Sequence, residues 1–181
     1  MTMTSEQVRI AFTIFDDPER LWGAVSALIG RGLDCAQLCL MARESTMADA
    51  CSVYLRGDRD THRRDVAALC EEVEDWSGKG DGRIVATAGS RVVRLLRAQA
   101  SNGGKAPGSV TVSRHTADLE NDIAPGVVAL LATSSDPKQQ VITASTLLNR
   151  SLHRVTTFEF AARAAAPAKS ATDSDLTDTR P

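Results

Sequence analysis

The sequence predicts an α+β fold of the ferredoxin-like type, in which two strand-helix-strand units share one antiparallel sheet. The order strand, helix, strand occurs over residues 8–42 and again over 126–160, and both predicted helices begin at an Asp-Pro pair. Residues 58–100, between the units, carry helical patterns and predict a helical insertion. A dimeric barrel of such sheets, or a parallel sheet with the two units side by side, are the alternatives.

The first unit begins with the run VRIAFTIF, whose β-branched and aromatic residues predict a buried strand. Asp17 is a typical N-cap residue, and Pro18 is favoured at the first helical position. Apolar residues then recur at helical spacing until Gly30 and Gly32, either of which can end the helix. The segment LDCAQLCLMA at 33–42 predicts the second strand.

The second unit repeats this order near the other end of the chain. The run GVVALLA at 126–132 predicts a strand, and Asp136 with Pro137 predicts the start of a helix that continues to about Asn149. The run VTTFEF at 155–160 predicts the last strand. The apolar positions of the two helices also match, which indicates an internal duplication.

The insertion should contain helices, because a structureless loop of this length is uncommon inside a compact domain. One stripe of residues at helical spacing consists of Val66, Leu69, Cys70, Val73 and Trp76. A second consists of Val85, Val92, Leu95, Leu96 and Gln99. After Phe160 the chain is rich in Ala, Pro, Ser, Thr and Asp, so we expect one domain over 1–160 and a disordered tail over 161–181.

Composition restricts the partners and the compartment. The formal net charge is -2 and aromatic residues make up 4% of the 181 residues, so we expect no nucleic-acid partner. The sequence shows neither a secretory signal nor an apolar run long enough to span a membrane, which predicts a cytoplasmic protein without membrane association. Four cysteines in that compartment are expected to be reduced and mostly buried.

Two segments carry a resemblance to a known family. The residues IFDDPERLWGAVSALIGRGLDCAQLCLMA resemble the opening unit of bacterial general-stress-protein-type domains, which are heat-induced proteins of unknown biochemical activity. The residues GVVALLATSSDPKQQVITASTLLNRSLHRVTTFEF are similar to their closing unit. The resemblance implies a role in stress and no catalytic residues. This chain has charged helices where such proteins often carry a glycine-rich hairpin, so the membrane association of that hairpin is not expected here.

Cysteine and histidine spacing predicts no metal, cofactor or catalytic site. Cys35 and Cys39 would lie on one side of a strand but about 13 Å apart, too far to share a metal. His62, His115 and His153 have no acidic residue or cysteine at metal-ligand spacing. Two glycine-rich segments, GKGDGR and NGGK, follow predicted helices without the pattern of a phosphate loop, and are expected to be turns.

An arginine-rich face is the candidate partner-binding site. The stretch from Arg83 to Arg114 contains no aspartate or glutamate, and Arg91, Arg94 and Arg97 lie three apart, which keeps their guanidinium groups close together on a helix. In one interpretation they neutralise the acidic run Glu71, Glu72, Glu74 and Asp75 across an antiparallel helical hairpin. In the other, they bind an acidic partner or a phosphate backbone.

Three functions follow from these observations. The leading hypothesis is a non-enzymatic interaction or regulatory module, associated with stress and self-associating through a free face or edge of its sheet. The second is a sensor that binds a small metabolite between the sheet and the helical insertion. The third is an enzyme, which would need Cys51 or Cys70 close to His62 or His115.

Overall fold

A computed structural model describes residues 6–56, 63–77, 82–101 and 109–162. The strands in these ranges are β1 (Glu6–Phe15), β2 (Leu38–Arg43), β3 (Val73–Ser77), β4 (Ile84–Thr87), β5 (Val128–Ser134) and β6 (Thr156–Ala162). The helices are α1 (Pro18–Gly30), α2 (Glu44–Arg56), α3 (Arg63–Glu71), α4 (Arg91–Ser101), α5 (Ser109–Asp122) and α6 (Pro137–Arg150).

One sheet contains all six of these strands in the order β3-β4-β2-β5-β1-β6, and every neighbouring pair is antiparallel. The strands of the first unit, β1 and β2, lie on either side of β5, and β6 pairs with the outer side of β1. This interleaving is the ferredoxin-like arrangement. The predicted α+β fold is confirmed, and the parallel alternative is wrong.

The two helix starts have the same local structure. Asp17 Oδ1 accepts a hydrogen bond from the amide of Glu19 at 2.9 Å, and Asp136 Oδ1 accepts one from the amide of Lys138 at 2.9 Å. In both helices the proline that follows occupies the first turn, where its missing N–H leaves no helical hydrogen bond unmade. The helices α1 and α6 contact each other and pack on the same face of the sheet, as the duplication predicts.

Helices cover both faces of the sheet. Leu40 and Leu130 point to the face occupied by α1, α2, α3 and α6, whereas Met41 and Leu131 point to the face occupied by α4 and α5. This alternation follows from the period of two in a strand. The insertion therefore covers much of the sheet face that the sequence left available for self-association, and the described part of the chain leaves β3 and β6 as the sheet edges.

The insertion is not purely helical. The stripe from Val66 to Trp76 is helical only to Glu71, and the prediction is wrong beyond it, because Val73 and Trp76 lie on β3. Val85, expected on a helix, lies on β4. The β3–β4 hairpin extends the sheet next to β2, so long-range pairing decides the structure of these residues.

The second strand begins later than predicted. Residues Cys35–Gln37 form a short 3-10 turn, and β2 starts only at Leu38. The Asp34 carboxylate accepts a hydrogen bond from the amide of Ala36 at 3.1 Å, and the Asp34 amide donates to Gln37 Oε1 at 2.9 Å. This reciprocal cap satisfies backbone groups that a strand would have paired with a neighbour.

The predicted domain end at residue 160 lies within β6, which continues to Ala162. The rest of the predicted tail, 163–181, lies outside the described residues. Within the described ranges, none of the helices has the length and apolar composition needed to cross a membrane.

Candidate functional site

A cavity of about 310 Å³ lies at the end of the sheet where β1 finishes and β5 begins. Its floor is apolar and is formed by the buried side chains of Phe15, Leu21, Ala50 and Val128. Its rim is polar and carries Asp16, Asp17, Ser45, Thr46 and Asp49. An apolar floor with a few convergent polar groups is the usual composition of a small-ligand site.

The turn between β1 and α1 forms one side of the rim. The Asp17 side chain caps α1, and its backbone carbonyl accepts the first helical hydrogen bond, from the amide of Leu21 at 3.1 Å. The capped turn leaves Asp16 exposed, with its Oδ1 3.7 Å from Nε2 of His153 in the loop before β6. The local sequence that starts the helix therefore also presents two carboxylates to the cavity.

Helix α2 forms the opposite wall and is attached to the start of β5. The Thr46 hydroxyl accepts a hydrogen bond from the backbone N–H of Gly126 at 3.0 Å. Gly126 follows Pro125 in a turn closed by a hydrogen bond from Val127 N to Ala124 O at 3.1 Å, and its φ is +80°. Pro followed by Gly with positive φ is typical of a type II turn, and glycine takes this conformation without strain.

Trp22 attaches the same wall to α1. Its indole Nε1 donates a hydrogen bond to the backbone carbonyl of Ala50 at 2.9 Å, in a buried position. Its ring also lies against Tyr54 of α2, with the ring centroids 4.8 Å apart. These contacts fix the distance between the two helices on either side of the cavity.

The charge of the rim is negative. Asp17 lies 3.6 Å from the guanidinium of Arg20, and Asp16 is near His153, but both pairs are exposed and weakened by solvent. Asp49 makes no ion pair with a described residue. Three carboxylates and two hydroxyls around an apolar floor suit a small ligand that carries ammonium or other hydrogen-bond donor groups.

The structure joins two cysteines that were expected to be reduced. Cys51 of α2 and Cys70 of α3 form a disulfide, with their Cα atoms 5.7 Å apart. Cys35 and Cys39 are free thiols, but they do not share a strand, because Cys35 lies in the 3-10 turn. Burial raises the pKa of Cys39 to about 12, and burial together with Asp65 and Asp34 raises the pKa of Cys35.

This disulfide bears on the enzymatic hypothesis. Cys51 and Cys70, the two candidate nucleophiles of that hypothesis, are bonded to each other in this structure. His62 and the side chain of His115 lie outside the described residues. No group of three or more metal-ligating side chains lies together in the described part of the chain.

The three arginines of the predicted partner-binding face have different surroundings in the structure. Arg97 pairs with the Glu74 carboxylate at 2.9 Å, and its guanidinium carbon lies 6.0 Å from the centre of the Trp76 ring. Arg91 and Arg94 are exposed on the same helix. The acidic run is neutralised in part, as one interpretation expected, but the helical hairpin is wrong because Glu74 and Asp75 lie on strand β3.

No protein-family model, curated protein or solved structure matches this chain. Of the residues around the cavity, the sequence singled out Asp17 and Pro18, and only as the cap and first residue of a helix. The sequence interpretation did not include α2. The apolar residues Met47, Ala50 and Tyr54 recur at helical spacing and could have revealed that helix.

Proposed function

We propose that this chain is a non-enzymatic sensor that binds a small cationic metabolite in the cavity between the sheet and α2. The sequence prediction put the ligand between the sheet and the insertion at 58–100, whereas the cavity is walled by α2, which precedes that insertion. The observation that carries it is the position of Asp16, Asp17 and Asp49 around one apolar floor. The volume, about 310 Å³, lies at the lower end of the range for small-molecule sites.

Charge selects the ligand class. A cation placed between carboxylates gains Coulomb energy from each of them, and the low-dielectric floor reduces screening on that side. An anion of the same size would be repelled by the same three groups. A ligand with an ammonium group and an aliphatic chain therefore satisfies both the rim and the floor.

The test uses three compounds with the same four-carbon chain: putrescine, which is dicationic, 1,4-butanediol, which is neutral, and succinate, which is dianionic. Putrescine should raise the melting temperature, since a ligand that binds only the folded state stabilises it. Asp49→Asn should weaken putrescine binding about two- to fivefold, the range for a partly exposed ion pair. Asp118→Asn, on the exposed surface of α5, is the matched control and should bind as the wild type does.

A blocking variant separates the site from the ligand class. Ser45 is exposed at the cavity rim, so Ser45→Trp should cover the opening without changing the core. Any ligand of this cavity should then bind more weakly, whatever its charge. A preference for succinate over putrescine would refute the cationic class, and unchanged putrescine binding by Ser45→Trp would refute the cavity as its site.

A second candidate function is the interaction module that the sequence favoured, and the outer surface of α6 supports it. Val141 and Leu148 are 68% and 62% exposed on the helix face away from the sheet, and Leu152, just beyond the helix, is 72% exposed. Exposed apolar side chains in one line are typical of a protein contact. We propose this surface for the predicted self-association.

Light scattering after size-exclusion chromatography tests this second function. The wild type should show a molar mass above that of one chain, and Val141→Ser with Leu148→Ser should lower it to the monomer value. Val53→Ser, at an exposed valine of α2, is the control. A monomeric wild type at all concentrations would refute self-association through α6. The acidic partner predicted for Arg91, Arg94 and Arg97 stays a prediction, tested by replacing the three arginines with glutamine in a binding assay.

The cytoplasmic location and the association with stress also stay proposals. A disulfide is rare in the reducing cytosol, where it is usually transient or redox-sensing. In that compartment the Cys51–Cys70 pair would therefore be the oxidised form of a reversible pair. A fluorescent fusion with fractionation tests the location, and transcript levels after heat shock test the association with stress.

A further inference from the structure

The cavity wall α2 is held by a covalent bond directly after its cavity-lining residues. The first two turns of the helix line the cavity with Ser45, Thr46, Asp49 and Ala50. Cys51 follows directly and is bonded to Cys70 near the end of α3. Because Cys51 is the next residue after the cavity-lining Ala50, a constraint on its sulfur is a constraint on the wall.

Helix α3 anchors this constraint to the rest of the domain. Val66 and Leu69 are buried in the same apolar cluster as α1 and α2. The thiol of Cys35 also donates a hydrogen bond to the Asp65 carbonyl at 2.9 Å. The disulfide therefore attaches α2 to a helix that is itself packed into the apolar core.

We infer that the Cys51–Cys70 disulfide controls the position of the cavity wall through its redox state. Reduction by a small thiol frees α2 from α3 and thereby weakens ligand binding. This inference rests on the proposed ligand site. Binding of the small cation would then be regulated by the balance of thiols and disulfides around the protein.

The two cysteine residues are not equally exposed. Cys51 is 9% exposed, whereas Cys70 lies at the edge of the cluster and is only partly buried. A low-molecular-weight thiol such as glutathione therefore attacks Cys70, forms a mixed disulfide there, and releases Cys51 as a thiolate that takes up a proton. A second thiol attacks the small-molecule sulfur of the mixed disulfide and releases Cys70. In total, one protein disulfide and two thiols give one protein dithiol and one small disulfide.

The other two cysteines do not compete in this exchange. Cys39 is fully buried in the opposite core cluster, and burial raises its pKa to about 12. Burial and the nearby carboxylates of Asp65 and Asp34 raise the pKa of Cys35. Because the thiolate is the attacking species, both are poor nucleophiles near neutral pH, and the Cys51–Cys70 pairing is kept.

The experiment compares the full chain in its oxidised and reduced forms. Alkylation of the denatured, unreduced protein should label two cysteines, and alkylation after reduction should label four. Titration calorimetry with putrescine should give a Kd at least about fivefold higher for the reduced form, the lower end of ordinary coupling between sites. The variant Cys51→Ala/Cys70→Ser should bind like the reduced form under both conditions. Cys35→Ser keeps the disulfide and should respond to reductant as the wild type does.

Hydrogen exchange gives a readout that does not depend on the ligand. Reduction should speed amide exchange in peptides from α2, Glu44–Arg56, and leave α6, Pro137–Arg150, unchanged. Four labelled cysteines before reduction, equal exchange in α2, or equal Kd values in the two forms would each overturn the inference. If putrescine binds neither form but amide exchange in α2 is faster after reduction, the disulfide holds α2 in place as inferred, and only the proposed ligand is refuted.

Discussion

Reduction of the Cys51–Cys70 disulfide should also lower the stability of the whole domain. The bond joins residues 19 positions apart, and closing a loop of this size reduces the entropy of the unfolded chain by the equivalent of about 3 kcal/mol. For a domain of this length, that loss corresponds to a fall in melting temperature of about 6 to 12 °C. Val66 and Leu69 are buried in the apolar core, so α3 should stay in place after reduction and the fold should persist.

Calorimetry or circular dichroism with and without reductant measures this fall. The variant Cys51→Ala/Cys70→Ser should melt at the temperature of the reduced wild type and should not respond to reductant. Cys35→Ser should respond fully, because Cys35 is outside the bond. If alkylation shows complete reduction while the melting temperature is unchanged, the loop-closure argument is wrong for this pair.

Three further predictions concern stability and can be measured by urea unfolding. Asp136→Ala should cost about 1 kcal/mol, because it removes the N-cap of α6, whereas Asp118→Ala on exposed α5 should cost much less. Leu147→Ala, at a fully buried side chain, should cost about 2 to 5 kcal/mol, and Val53→Ala, at a side chain that is 41% exposed, should stay within about 0.5 kcal/mol of the wild type. Cys39 has a pKa of about 12 in the folded chain and an ordinary value of 9.0. Its contribution to the free energy of unfolding is therefore complete below pH 9 and is lost as pH rises towards 12. The free energy of unfolding should therefore fall less over this range in Cys39→Ala than in the wild type.

The features predicted most accurately are those encoded by adjacent residues. Asp17-Pro18 and Asp136-Pro137 determine the two helix starts, because a carboxylate that reaches the second amide and a fixed proline φ act within one turn. The apolar runs of β1 and β5 also identify buried strands. From two such units, the antiparallel ferredoxin-like sheet follows with few topological alternatives.

The β3–β4 hairpin could not be predicted from adjacent residues, for a physical reason. Val73 and Trp76 are three apart, which fits a helical stripe, and nothing in VEDWS alone identifies a strand edge. The strand forms because Val73 pairs with Thr87 across the hairpin, and Trp76 Nε1 donates to Glu120 of α5 at 2.8 Å. Both contacts are distant in sequence, so only the tertiary structure reveals them.

The candidate site depends on contacts of the same kind. Asp16, Asp49 and Val128 come from three separate segments, and no spacing rule joins them. The pairing of Cys51 with Cys70 is equally non-local, since the number and spacing of cysteines do not determine their connectivity. The sequence could identify the Asp-Pro turn but not the helix that would stand opposite it.

The duplication helps to explain the cavity at the Asp17 end of the sheet. Because β1 and β5 are antiparallel, the two Asp-Pro helix starts lie at opposite ends of the sheet. At the Asp136 end, Gln37 Nε2 donates to the Thr133 carbonyl at 3.1 Å, and the Ser134 hydroxyl donates to Gln139 Oε1 at 3.2 Å.

At the Asp17 end these partners are replaced by α2, the first helix after the first unit, which stands beside the cap and encloses the cavity. Two equivalent units alone would give two equivalent ends, so α2, which lies between the first unit and the insertion at 58–100, makes the Asp17 end different. Substitutions on the cavity side of α2 should therefore alter ligand binding while leaving the duplicated sheet intact, which is the separation of effects that the Ser45→Trp and Asp49→Asn variants measure.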